Sequence, residues 1–173
     1  MYLNHTYGRW IVLFGVLAMG GCSSSFLQGK QYVFPGPDQP SATVRLKSGG
    51  SSRLDAMTFS DNGCYAGYTI LPSNGEYIES RVAAGKELIL TYWQVAGNSQ
   101  CQIPFSFTPE NGATYTLTEG SWSKPKEDIL PIFNRDEQFC GIGVIKKIGD
   151  QQSVQPIQQL QIKTGFACLR FTQ

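Results

Sequence analysis

Ser41-Ala42-Thr43-Val44-Arg45-Leu46-Lys47 alternates without a break. Ala42, Val44 and Leu46 fall on one side of an extended chain, and Thr43, Arg45 and Lys47 on the other. A period of two is the mark of a strand with one buried face. Pro35, Pro37 and Pro40 precede it and cannot belong to a helix. Ser48-Gly49-Gly50-Ser51-Ser52 follows it as a turn. Outward from this stretch, strands are expected at 54–60, 64–71, 77–83 and 87–96. Glu87–Ala96 is apolar on both faces and rich in β-formers, which predicts a central strand. Further strands are expected at 101–107 (Ile103, Phe105 and Phe107 alternating), 113–119 (Ala113, Tyr115, Leu117) and 138–147. The last two are 158–163 and 166–171, joined at Thr164-Gly165. No stretch long enough for a stable helix shows an i, i+3, i+4 pattern. About ten short strands, with turns every 8–12 residues or so, predict an all-β chain folded as a single antiparallel β-sandwich.

The N-terminus reads differently. Residues 1–9 are mostly polar and carry Arg9, and residues 10–19 (Trp-Ile-Val-Leu-Phe-Gly-Val-Leu-Ala-Met) are apolar. Gly20-Gly21-Cys22 follows. The apolar run is about half the roughly 20 residues of a membrane span, and the layout is that of a cleavable export signal. Met19-Gly20-Gly21-Cys22 resembles the lipobox of bacterial lipoproteins, with Met19 where that family usually has Leu. The resemblance implies a signal peptide over 1–21 and lipidation (palmitate among the acyl chains) at Cys22. It also implies a membrane anchor through that lipid. With Ser23 after the Cys, it implies the outer membrane rather than retention at the inner one. Residues 22–40 are then the lipidated N-terminus and tether, and 41–173 the β-sandwich domain.

Cleavage there removes His5, the only histidine, and Arg9. The 13 acidic residues all lie beyond Cys22, so the mature chain is neutral. Histidine-dependent catalysis and imidazole-ligated metal sites lose their key residue. A neutral chain also lacks the basic surplus of a nucleic-acid binder, so none is expected as a partner. Four cysteines remain: Cys64, Cys101, Cys140 and Cys168. In an exported chain they read as two disulfides with three possible connectivities, and the absence of a C-x-x-C pair argues against zinc or thiol redox chemistry. If Cys101 and Cys140 begin strands running the same way, they meet at one end of a sandwich, which favours Cys101–Cys140 with Cys64–Cys168. No cofactor and no metal are expected.

Pro109-Glu110-Asn111-Gly112-Ala113-Thr114-Tyr115 lies between two alternating runs. It resembles the tyrosine corner of immunoglobulin-like domains, which implies an immunoglobulin-like sandwich. A hairpin turning at Asn111-Gly112 reads the same residues equally well.

Several short motifs suggest chemistry. Ser121-Trp122-Ser123-Lys124 matches S-x-x-K, and Lys163-Thr164-Gly165 matches K-T-G, both found in penicillin-binding proteins. Pro125 forbids the helix that the serine would open, and no S-D-N lies between them, so a Ser-Lys hydrolase is the weakest reading. Gly141-Ile142-Gly143 sits inside a strand and marks a bulge or close approach rather than a phosphate loop. Asp61-Asn62-Gly63 reads as an Asx turn, and Glu76 and Glu79 would point to opposite faces of one strand. Asp136-Glu137 reads as loop charge.

The segment singled out for function is the long connection expected from Gly120 to Glu137. It joins Trp122, Ile129, Leu130, Ile132 and Phe133 to a charged rim, the composition of a protein-binding patch. Taken alone, Ile129–Phe133 reads equally as a further strand or a lid. The favoured function is a non-enzymatic binding or assembly module for another envelope protein. The alternative is a periplasmic inhibitor of a cell-wall hydrolase. It rests on a resemblance of Asn111–Tyr115, with Trp122-Ser123-Lys124, to the S-G-x-x-Y segment of lysozyme inhibitors.

Overall fold

The computed structural model describes residues 29–47, 51–96, 99–125, 136–165 and 168–172. Every regular element among them is a strand. The first sheet runs β4 (Tyr77–Ala83), β1 (Ser41–Lys47), β7 (Thr114–Pro125), β8 (Asp136–Ile148), β9 (Gln151–Val154). The second runs β10 (Gln158–Gln159), β6 (Ser99–Phe107), β5 (Leu88–Ala96), β2 (Ser52–Phe59), β3 (Tyr65–Ile70). A small hairpin of β11 (Gln161–Thr164) and β12 (Leu169–Thr172) completes the chain.

The two five-stranded sheets pack as a sandwich, and period two decides what lies between them. Ala42, Val44 and Leu46 of β1, with Ala113, Tyr115 and Leu117, line the inner face of the first sheet. Leu54, Ala56, Leu88, Leu90, Tyr92, Ile103, Phe105 and Phe107 line the second. Each Val or Leu so buried contributes roughly 1.5–3 kcal/mol. β5, expected to be central, lies in the middle of its sheet.

The reverse face of the second sheet is also covered in part. Asp55 is 1 % exposed and its Oδ2 accepts from Arg53 Nη2 at 2.9 Å. The Arg53 guanidinium lies over the rings of Trp93 and Tyr68. Burial pushes the Asp55 carboxyl above its ordinary range, and Arg53 opposes that shift. Among the described residues its Oδ1 has no hydrogen-bond partner.

The tyrosine corner is present as geometry. The Glu110 backbone N–H donates to the Tyr115 hydroxyl at 2.8 Å, and Tyr115 is fully buried against Phe107. Gly112 holds φ +76°, the left-handed conformation this turn requires. Asn111 Oδ1 accepts from Ser41 N, and Thr43 N donates to Ala113 O. These bonds start β1 beside β7 pointing the same way, so that this one pairing is parallel in an otherwise antiparallel sandwich. The strand order also differs from that of an immunoglobulin constant domain, whose first two strands are neighbours in one sheet. Here β1 and β2 belong to opposite sheets.

Two disulfides pair Cys64 with Cys168 and Cys101 with Cys140, at Cα separations of 5.2 and 6.2 Å. The first ties the start of β3 to the C-terminal hairpin, where Phe171 packs on Phe59 and Tyr65. The second joins β6 to β8 across the sandwich.

Part of the expected tether belongs to the domain. Gly29 bridges Gly67, Lys30 N donates to Ala66 O, and Thr58 Oγ1 donates to Lys30 O. Tyr32 N donates to Thr69 Oγ1, while its hydroxyl accepts from Ala83 N, so Tyr32 spans from one sheet to the other. A Cβ on Gly29 would lie 2.3 Å from Ala66 O, so only glycine fits there. Cys22 lies outside the described residues.

Candidate functional site

β7 and β8 pair continuously from Thr114↔Lys147 to Pro125↔Asp136. The connection expected from Gly120 to Glu137 is therefore corrected at its two ends: Gly120–Pro125 is strand, and Asp136-Glu137 begin β8 rather than sit in a loop, while residues 126–135 lie outside the described residues. Ile129, Leu130, Ile132 and Phe133 lie outside the described residues. β1 flanks β7 only as far as Leu117, and β9 flanks β8 only from Ile145. From Thr118↔Gly143 outward the two strands have no third strand beside them among the described residues. They form a ribbon about 25 Å long at roughly 3.3 Å per residue.

A lone two-stranded ribbon is marginal in water. Three features support this one. The Cys101–Cys140 disulfide fixes it to the opposite sheet. Trp122 stacks on Phe139, its cross-strand partner, with centroids 5.9 Å apart and planes at 11°. The Trp122 ring also lies over Gly141, where an added Cβ would approach it to 3.1 Å. Gly141 thus leaves the space that the indole fills, the close approach expected of the Gly141-Ile142-Gly143 run. Lys124 Nζ sits 5.3 Å from the Phe139 ring centroid. Strand alternation puts Trp122, Lys124 and Phe139 on the outer face of the first sheet, and Trp122 remains 48 % exposed.

The inner face of the ribbon is polar at its base. Glu119 Oε2 accepts from the Tyr92 hydroxyl at 2.5 Å and from Ser52 Oγ at 2.9 Å. Burial and the bond to Glu119 push the Tyr92 hydroxyl up to about 12, so it stays protonated and donates at every physiological pH. Next to this anchor a cleft of about 60 Å³ is lined by Gln94, Gln100, Cys101, Ser121, Gln138, Phe139 and Cys140. That volume holds a water or two and no substrate.

No family model, curated protein or solved structure matches this chain. The site therefore stands on its own geometry.

The structure separates the other motif residues. Ser121 faces the inner cleft, whereas Lys124 projects from the opposite face of the same strand, so the S-x-x-K pair does not converge. Lys163-Thr164-Gly165 closes the β11–β12 hairpin, with Gly165 N donating to Cys168 O. Asn111 and Tyr115 sit at the corner, and Trp122 lies at the other end of β7, about 25 Å away along the strand. The two pieces of the inhibitor-like segment do not share a surface. Asn62 Oδ1 accepts from Cys64 N in an Asx turn. Glu76 precedes β4 and only Glu79 lies within it, so the condition that both share one strand is not met. Among the described residues no group of His, Cys, Asp and Glu could hold a metal.

Phe139 is the site residue that the sequence reading passed over. The available signal was the Phe139-x-Gly141 spacing opposite Gly120-x-Trp122, which becomes meaningful only once the register is known.

Proposed function

We propose that this chain is a lipid-anchored lipoprotein of the outer membrane. It acts as a non-enzymatic binding or assembly module for another envelope protein, through the outer face of the β7–β8 ribbon. The observation that carries this reading is the exposed Trp122 stacked on Phe139, on a ribbon that no third strand flanks among the described residues, braced by a disulfide. A rigid aromatic anchor beside a cation is what interface hot spots are made of. Two disulfides fit an exported compartment. The lipid at Cys22 would hold the domain at the membrane, where several acyl chains at about 0.8 kcal/mol per CH₂ give a stable anchor.

The test is photocrosslinking in intact cells from position 122, with position 116 on the same face of β7 as control. The reading predicts one protein captured from 122 and not from 116, and lost when Phe139→Ala is added. Equal capture from both positions, or capture indifferent to Phe139, would refute it.

A further inference from the structure

The register places the docked N-terminal segment and the β7–β8 ribbon at opposite poles of the sandwich. β2 runs from Ser52 to Phe59. At its Ser52 end it meets the base of the ribbon: Ser52 Oγ donates to Glu119, Ser52 pairs with Gln94, Gln94 pairs with Cys101, and Cys101 is bonded to Cys140. At its other end Thr58 pairs with Gly67 and donates to Lys30 O, and Gly29 bridges Gly67. The corner belongs to that same end, since Tyr115 packs on Phe107 and Gly85 N donates to Pro109 O. From Thr58 to Ser52 is about 20 Å, and from Cys140 to Asp136 about 13 Å more, at roughly 3.3 Å per residue. The N-terminal segment thus docks at one pole, and the ribbon leaves the other, roughly 30 Å away.

The stretch of sequence between Cys22 and that dock is short. Seven residues, Cys22–Gln28, precede Gly29. Fully extended they reach about 25 Å at most. Hydrogen bonds of Lys30, Gln31 and Tyr32 to the sheets, with the Gly29 bridge, prevent the tether from paying out further along the domain.

We propose that the domain stands on the membrane with a fixed polarity. The bilayer lies at the Gly29 pole, and the ribbon is presented on the side away from it. The ribbon's partner is then met outside the headgroup layer, as a solvent-exposed part of an envelope protein and not as a membrane-embedded one. This rests on the lipoprotein reading above, and the experiment separates the two.

The full-length protein is purified from membranes with a fluorescent amino acid at one of two exposed positions. Asp61 lies in the β2–β3 turn at the Gly29 pole, and Ser123 lies on the ribbon. Each form is placed in vesicles of phosphatidylethanolamine and phosphatidylglycerol containing a headgroup-labelled acceptor lipid. Intact mass first establishes whether Cys22 is acylated, and Cys22→Ser serves as the unanchored control. Acylated protein with energy transfer several-fold stronger from 61 than from 123 supports the polarity. Acylated protein with equal transfer, or stronger transfer from 123, overturns it while leaving the anchor intact. Protein without acyl mass overturns the lipoprotein reading, and the proposal falls with it.

Discussion

At its Thr114 end the β7–β8 hairpin has β1 on one side and β9 on the other, and its inner residues are sealed in the core. At its Pro125 end the same two strands have only each other among the described residues. The corner end is held by burial: Tyr115 and Leu117 lie between the sheets, and Lys146, the cross-strand partner of Tyr115, adds a 2.6 Å bond to Glu110. The ribbon end is held by a disulfide, one aromatic stack and an indole laid over a glycine. One pair of strands therefore serves as structure over one half of its length and as displayed surface over the other. Substitutions should cost stability at the first end and binding at the second.

The largest effect should come from the corner. Tyr115→Ala removes a fully buried ring and is expected to cost about 3–5 kcal/mol in chemical denaturation. Tyr115→Phe keeps the ring but leaves Glu110 N without its acceptor, a loss of about 1–3 kcal/mol. If Tyr115→Phe were as stable as the parent, the corner bond would not matter to the fold.

The disulfide that ties the ribbon to the opposite sheet comes next. Cys101→Ala with Cys140→Ala should lower stability by about 2–4 kcal/mol, the usual range for such a bridge. Its distinguishing effect is local. Proteolysis should begin at the ribbon of the double variant while the corner stays intact, and cleavage first at the corner would contradict the division of labour.

Trp122→Ala is expected to change stability by less than about 1 kcal/mol, as for an exposed cross-strand pair. It should nevertheless abolish crosslinking to the partner from a photoprobe at position 124, on the same face of β7. A large loss of stability with binding retained would exchange the roles assigned to the two ends.

The smallest effect concerns pH. Asp55, outside the hairpin, has its carboxyl raised by burial. Between its ordinary value near 3.8 and its higher value in the fold, the native state binds more protons than the unfolded one. Stability contributed by this group therefore falls as pH rises through that window, and the ionised form is carried at neutral pH at a cost. Asp55→Asn should flatten this part of the pH–stability curve. An unchanged slope would mean that Asp55 is not its source.

The comparison also explains what could be read from sequence. β1, with Ala42, Val44 and Leu46, was legible to the residue because one face is buried and the other wet. The corner was legible because Asn111, Gly112 and Tyr115 act within a few residues of one another. The ribbon was not: Gly120-Ser121-Trp122-Ser123-Lys124-Pro125 has loop composition, and it is strand only because Trp122 meets Phe139 and Gly141 across the pair. β9 escaped for a related reason, since Gln151–Val154 is exposed throughout and exists only through its bonds to β8. Residues 29–32 read as tether because their bonds run to distant Thr58, Ala66, Thr69 and Ala83. Local patterns mark elements that bury a face, whereas elements held by cross-strand partners stay hidden until the register is known.

The most direct test of the two-ended hairpin is native-state hydrogen exchange along β7. The account predicts that amides of Thr116 and Leu117 exchange only through global unfolding, and that those of Trp122–Lys124 exchange faster through local opening. Reducing Cys101–Cys140 should accelerate the second group and leave the first unchanged. Uniform protection from Thr116 to Lys124, unaffected by reduction, would contradict it.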